Sequence, residues 1–396
     1  MAVYSDDMPL DVAAVQDALR AEDLDGWLLY DFHGSNPIAA RLAGLTGGGH
    51  MTTRRWYYLI PASGPPRGLV HAIEKHNLDS LPGAKAVYAG RDELDVGLSD
   101  LLRGARRVAM EYSPGGAIPY LSRLDAGTAE AIRSRGVEIV SSGDLVQRFE
   151  AAWSPAQLTS HVRASDALHR IKDRAFDAAR QRAGRFTEYD LQQRMVQWFE
   201  DEGLISDSPP VVAVGAHAGN PHYLPTPQQA APIEPERVLL LDLWGKLDEP
   251  GAVYADITWV GFTGSEVPDE VSRAFDAIVR ARDRAVALVE ASARAGHDLR
   301  GWQVDRVARE VLIDAGYGRH VLHRTGHSLG ESVHGNGVHL DDYETHDDRR
   351  ILPGTGFTIE PGLYFDTFGV RTEINVFRGD REARVTGPRQ SALVVV

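Results

Sequence analysis

The sequence predicts an α/β (α+β) protein of two domains, residues 1–150 and 151–396, the second of them built from an internal repeat. Three observations lead there. Short apolar strand patterns alternate with helical ones through the first 150 residues, the pattern changes at Trp153-Ser154-Pro155, and beyond it two stretches of helix and strand follow one another at a constant offset. A chain of 396 residues is long enough for two hydrophobic cores at roughly 150 residues per domain.

In the first domain the strand candidates are 27–30, 56–60, 68–73, 108–110 and 137–140. Helical spacing of Val12, Val15 and Leu19, and the stretch 128–132, fill the gaps between them. No glycine-rich phosphate loop is present in this domain. Ser154 followed by Pro155 reads as a helix cap with proline at the first helical position, which places the domain boundary near Glu150.

Pro155 opens a helical segment that ends near Gly184, and Pro268 opens another that ends near Gly296, an offset of 113 residues. The following helices keep this offset: Tyr189, Leu191, Trp198, Phe199 and Gly203 correspond to Trp302, Val304, Val311, Leu312 and Gly316. Each half then continues into strands that carry acids. Asp242 lies in VLLLDLWG and Asp256 in YADITWVGF, with GKLDEPG between them as a turn. Glu360 lies in FTIEPGLY and Glu373 in VRTEINVF, around a turn at TFG. The separations are 14 and 13 residues, so each half delivers two carboxylates from neighbouring strands.

An acid on a solvated sheet face needs no explanation. Within core strands, a carboxylate costs several kcal/mol unless a cation or a proton neutralises it. Asp242 follows Leu239-Leu240-Leu241, Ile359 precedes Glu360, and Ile374 and Val376 follow Glu373. Arg371 can neutralise one of four such charges, and a binuclear divalent site accounts for the rest. The segment HRTGHSLGESVHGNG adds His323, His327 and His334 within twelve residues, threaded through glycines that allow close backbone approach. Four carboxylates and an imidazole form an oxygen-rich set that suits Mn²⁺ first and admits Fe²⁺, Co²⁺ or Zn²⁺. A structural zinc site would favour cysteine, and the chain has none.

Composition excludes other classes. Forty-two basic against 56 acidic side chains give a net charge of −14, which argues against nucleic acid and anionic membranes as partners. No apolar run approaches the roughly 18 residues of a membrane span, and the acidic start MAVYSDDMPLD lacks the basic and apolar regions of a signal peptide. With no cysteine to suggest an oxidising compartment, the expected location is the cytoplasm.

Asp242, Asp256, His327, Glu360 and Glu373, in that order, resemble the ligand signature of the "pita-bread" metallopeptidases, which include methionine aminopeptidase, aminopeptidase P and prolidase (Xaa-Pro dipeptidase). The first domain resembles the creatinase-type amino-terminal domain of the proline-specific members. The resemblance thus covers nearly the whole chain. It implies two metal ions bridged by Asp256 and Glu373, with Asp242 on one and His327 and Glu360 on the other. It also implies Glu360 as proton shuttle, His222 (in NPHYLPT) and His334 as substrate contacts, His323 as a support and Arg371 as a ligand-orienting or substrate-binding cation. The substrate so implied is a small proline-containing peptide and the assembly a homodimer. In this branch the amino-terminal domain shapes the partner subunit's site, so Asp31 or Arg41 of YDFHGSNPIAARL would exclude longer peptides unless the segment is an ordinary surface loop.

Two departures stand out. The aspartates are further apart than is usual in the family, and Trp259 replaces an arginine, a change expected to alter the pocket wall or the surroundings of the ligands. Aminopeptidase P, creatine amidinohydrolase and a non-catalytic binding module on the same scaffold are the competing readings. The last two need no metal ligands, and all five are present.

Overall fold

The computed structural model describes residues 10–46, 51–181 and 184–396; most of the acidic start lies outside them. The chain divides into two compact units, Met1–Ala151 and Ala152–Val396.

The first unit holds a six-stranded sheet made of β1 (Gly26–Asp31), β2 (Trp56–Pro61), β3 (Arg67–His71), β4 (Ala84–Tyr88), β5 (Arg107–Met110) and β6 (Glu138–Ser141). Its order is β4-β3-β2-β1-β5-β6. Side chains alternate across a strand, so Trp27 and Leu29 join a core with helices α1 (Val12–Ala21) and α2 (Pro37–Leu42). Leu28 and Tyr30 join a second core with α3 (Arg91–Leu101) and α4 (Ala126–Arg133). The sequence pattern missed β4, an edge strand in which Tyr88 alone is buried. It also carried β3 too far: Ile73 lies in a 3₁₀ turn beyond the strand and is 72% exposed.

The second unit begins with a capped helix. Ser154 Oγ accepts from the Gln157 amide at 3.1 Å and Gln157 Oε1 accepts from the Ser154 amide at 2.9 Å, a reciprocal cap. It opens α6 (Pro155–Gln181), which follows the short α5 (Gly143–Val146) of the first unit. Helices α7 (Glu188–Asp201), α8 (Asp269–Ala295) and α9 (Gly301–Asp314) complete two long-short pairs of 27 and 14 residues each. Isolated bridges at Thr187↔Pro232 and Arg300↔Arg350 hold the start of the short helix in each half, and Thr187 and Arg300 are 113 apart. Among the described residues, no helix is long and apolar enough to cross a membrane.

The first half's sheet contains β7 (Leu204–Ile205), β8 (Val211–Val214), β9 (Val238–Leu247) and β10 (Ala255–Phe262). The second half contains β11 (Ser328–Leu329), β12 (Thr355–Ile359), β13 (Gly362–Tyr364), β14 (Gly369–Arg371), β15 (Ile374–Arg378) and β16 (Ala383–Val385). The closing strand β17 (Val394–Val395) returns to pair with β10. Leu239, Leu241, Leu243 and Ile257 pack beneath α6 and α7. Val238, Leu240 and Val260 face the other way, into a core shared with α8, α9 and the second half's strands. The lengthened turn between the aspartates is partly strand: Lys246 and Leu247 pair with Ile205 and Leu204, and the chain turns only after them.

Two buried histidines give this unit a titratable weakness. His161 has its ring nitrogens 2.7 Å from Tyr254 O and Thr386 Oγ1. Burial lowers its pKa to about 4, and His169 is lowered to about 4 for the same reason. The folded state therefore holds both rings neutral, and acid is taken up first by the unfolded chain. Their contribution to stability is complete above about pH 6.5 and lost as pH falls toward 4. We predict a urea midpoint that drops over this window, with part of the drop abolished by His161→Gln, which keeps polar atoms but cannot titrate.

Candidate metal centre

The geometry of the β9–β10 hairpin aims the aspartates. Thr258 lies opposite Asp242, and Asp256 opposite Trp244. Asp242, Asp256 and Thr258 therefore share one face of the ribbon. The glutamates are placed differently from the expectation of two core strands. Glu360 falls at the break between β12 and β13, and Glu373 at the break between β14 and β15. Pro361 has no amide hydrogen to continue a ladder, and the two glutamate amides turn to new partners. Glu360 N donates to Thr325 O at 2.7 Å and Glu373 N to Thr258 O at 3.1 Å. The second of these bonds joins the halves. Asn375 reinforces it, accepting from the Asp256 amide at 2.9 Å and donating to the Asp256 carbonyl at 2.7 Å.

These links gather the acids and His327 into one buried cluster. Ligand atoms of Asp256, His327 and Glu373 all lie within 4.8 Å of one another. His327 Nε2 is 3.6 Å from Asp256 Oδ2 and 3.5 Å from Glu360 Oε1. Its Nδ1 lies 3.1 Å from Ser328 O, a bond that fixes the proton there and leaves the Nε2 lone pair for the centre. Thr358 Oγ1 accepts from the His327 amide at 2.9 Å and donates to Glu360 at 3.2 Å.

Arg371 is the cluster's resident cation. Its guanidinium donates to Asp242 Oδ2, to Thr258 Oγ1 at 2.9 Å and to Tyr364 OH at 3.0 Å. Burial opposes its charge, but Asp242 and the other nearby anions outweigh burial and raise its pKa. Through the first of these bonds Arg371 orients Asp242. Tyr364 in turn donates to His323 Nε2 at 2.7 Å, while His323 Nδ1 donates to Arg324 O at 2.7 Å. His323 therefore ends a hydrogen-bonded line that runs through Tyr364 and Arg371 to Asp242.

One cation does not balance the set. Asp256 Oδ1 and Glu373 Oε1 are buried without a hydrogen-bond partner. Burial first, then the neighbouring carboxylates, pushes both pKa values well above the ordinary range. Orphaned oxygens facing a lone-pair nitrogen are the donor set a divalent cation needs. The residues present fit a metal.

The remaining candidates ring this centre or lie apart from it. His334 packs edge-on to His327 with centroids 4.4 Å apart; partial burial and the neighbouring His327, Arg324 and His222 lower its pKa. His222 is exposed on the loop after β8, its amide bonded to Asn220 Oδ1 at 3.1 Å. Trp259 is no pocket wall. Strand alternation turns it away from Asp256 and Thr258, onto α6, where Lys172 Nζ lies 3.7 Å from its ring centroid and His169 meets its edge. In the first unit, Asp31 is fully buried and accepts from the amides of Gly34 at 3.0 Å and Asn36 at 2.8 Å. It braces its own loop from inside, while Arg41 stands 3.5 Å from Glu150. Sequence reading passed over Thr258, Tyr364 and Asn375. Thr258 was accessible to it, being two residues beyond Asp256 and so on the same face.

The sequence model of metallopeptidase family M24 matches residues 163–377, more than half of the chain. "Probable dipeptidase PepE" of Mycobacterium tuberculosis is 26% identical over 320 residues, covering 80% of this chain and 78% of that one. The Xaa-Pro dipeptidase of Lactobacillus delbrueckii subsp. lactis is 30% identical over 171 residues, 41% of this chain and 40% of its own. Among solved structures, dipeptidase PepE from Mycobacterium ulcerans superposes with a TM-score of 0.70 at 23% identity, over 97% of this chain and 96% of that one. A prolidase from Thermococcus sibiricus gives a TM-score of 0.64 at 20% identity over 97% and 98%.

Removing the resident cation leaves Asp242 uncompensated. Arg371→Met should lower the stability of chelator-treated protein by about 3–5 kcal/mol, read from urea denaturation. Added Mn²⁺ should restore part of the loss.

Proposed function

Because the chain belongs to metallopeptidase family M24, we propose that it is an Xaa-Pro dipeptidase acting with two divalent cations, Mn²⁺ foremost. The observation that carries this reading is the buried group Asp256, His327 and Glu373, with unpartnered carboxylate oxygens on Asp256 and Glu373. The names of the dipeptidase and Xaa-Pro dipeptidase relatives support the choice of substrate class. In this reading the protein is a cytoplasmic homodimer.

Asp256 and Glu373, with Asp242, His327 and Glu360 beside them, would hold the cations. Bound divalent cations supply Lewis acidity toward water and the scissile carbonyl. Glu360 is the least enclosed of the four acids, its side chain 13% exposed. It accepts the proton that attacking water gives up and returns it to the leaving proline nitrogen. Neutral His334 donates to the developing carbonyl oxygen. His222, on its exposed loop, meets the proline end of the substrate. Arg371 and the Tyr364–His323 line keep Asp242 in one orientation while the substrate enters.

Chelator-stripped protein should release free proline from an Xaa-Pro dipeptide only after Mn²⁺ is restored, and should leave an Xaa-Pro-Xaa tripeptide intact. Cleavage of the tripeptide would move the specificity to that of an aminopeptidase P. Cleavage of neither by metal-loaded protein would overturn the proline-specific reading. Glu360→Gln should lower kcat by about 10²–10⁴-fold with intact folding, measured by circular dichroism.

A further inference from the structure

A second buried carboxylate group lies away from the metal centre and has no part in the chemistry above. Glu188 is the first residue of α7, its side chain wholly buried. Four donors converge on its two oxygens. Oε1 accepts from the Val214 amide at 2.7 Å, and Oε2 from Tyr223 OH at 2.5 Å and the Ala231 amide at 2.8 Å. His217 Nδ1 stands 3.0 Å from both oxygens. The backbone adds to this, with Glu188 N donating to Ala231 O at 2.9 Å.

All four donors belong to a single stretch of chain, the loop 214–231 that runs from the end of β8 and carries His222. Glu188 gathers its beginning, middle and end onto one carboxylate. His217 and Tyr223 flank His222 in sequence and stack on each other, ring centroids 4.2 Å apart, so both sides of the His222 segment are anchored. The loop also rests on the β13–β14 hairpin. A side chain at Gly219 would collide with the Phe365 carbonyl, and one at Gly369 with the Ala218 carbonyl. His222 itself is exposed and has only a backbone bond to Asn220. Its position is therefore set by the loop, and the loop by Glu188. An ionised acceptor receiving several short bonds is among the strongest restraints a loop can have.

We propose that Glu188 is a positioning residue for substrate binding, holding loop 214–231 so that His222 meets the proline end of the peptide. The inference rests on the reading of His222 as a substrate contact. Glutamine at 188 keeps the size but places an NH₂ where an oxygen accepts, so at least one of the four donors loses its partner. The loss falls on the loop, and the metal ligands on β9, β10 and the second half's strands keep theirs.

The test is a double-mutant cycle of Glu188→Gln and His222→Ala, run on the metal-loaded full chain with the dipeptide that the unmodified protein cleaves best from a panel of Xaa-Pro and other dipeptides. Glu188→Gln should raise KM about tenfold and leave kcat within about threefold. In the His222→Ala background the same change should add little, because the contact it positions is already gone. Hydrogen exchange should show faster amide exchange across 214–231 and unchanged exchange in β9 and β10. Tyr223→Phe, which removes one donor and keeps the ring, should give a smaller effect of the same kind and serves if Glu188→Gln does not fold. Additive losses in the cycle, or a fall in kcat with KM unchanged, would overturn the proposal and leave Glu188 a purely structural group. A His222→Ala variant with wild-type kinetics would overturn it through the role of His222. Failure of the Xaa-Pro reading would show separately, in the substrate panel.

Discussion

The concentration of negative charge at the seam between the two halves of the second unit governs its architecture. Asp242, Asp256 and Glu373 are buried together with Glu360 beside them, and one arginine faces the group. Like charges held this close in a low-dielectric site cannot all remain ionised without cations. The raised pKa values of Asp256 and Glu373 express that conflict, and so do their unpartnered oxygens. A fold that retains such a cluster gains its balance from metal, and its sheets, breaks and hydrogen bonds can be understood as the means of holding the acids still until metal arrives.

Duplication supplies the means. Each half provides a long helix, a short helix and a strand pair, and the acids stand where the strand pairs meet. Several links close the seam: the backbone bond from Glu373 N to Thr258 O, the pair that the Asn375 side chain makes with the Asp256 backbone, and the side-chain bonds that Thr258 makes to Glu373 at 2.7 Å and to Asp242 at 3.1 Å. The Thr258 hydroxyl has a single hydrogen to divide between two anions, while its oxygen accepts from Arg371. It belongs to no ligand set, yet it touches three of the groups whose positions decide the centre.

Much of this was legible in the sequence because the signals were local. An acid inside an apolar strand is visible as a break in pattern, and Asp242 and Asp256 were aimed by simple alternation. The matching helices were visible as repeated apolar spacing. What was hidden depended on pairing. Glu360 and Glu373 read as strand residues, whereas the chain changes partners at both, and nothing in a linear pattern says which strand the next amide will meet. Trp259 drew attention as an unusual residue in a motif, but its parity places it on the helix side of the sheet. Asn375 acts across the seam, on a residue more than a hundred positions away, Tyr364 works through Arg371 and His323 rather than on a ligand directly, and β4 gave little signal because an exposed edge strand buries almost nothing.

Crystals grown with Mn²⁺ and recorded at the manganese absorption edge would reveal whether metal balances this charge. Two anomalous peaks are expected, both within coordination distance of Asp256 and Glu373, with Asp242 at one and His327 and Glu360 at the other. Crystals with Mn²⁺ in the solvent and no anomalous peak at Asp256 and Glu373 would contradict it.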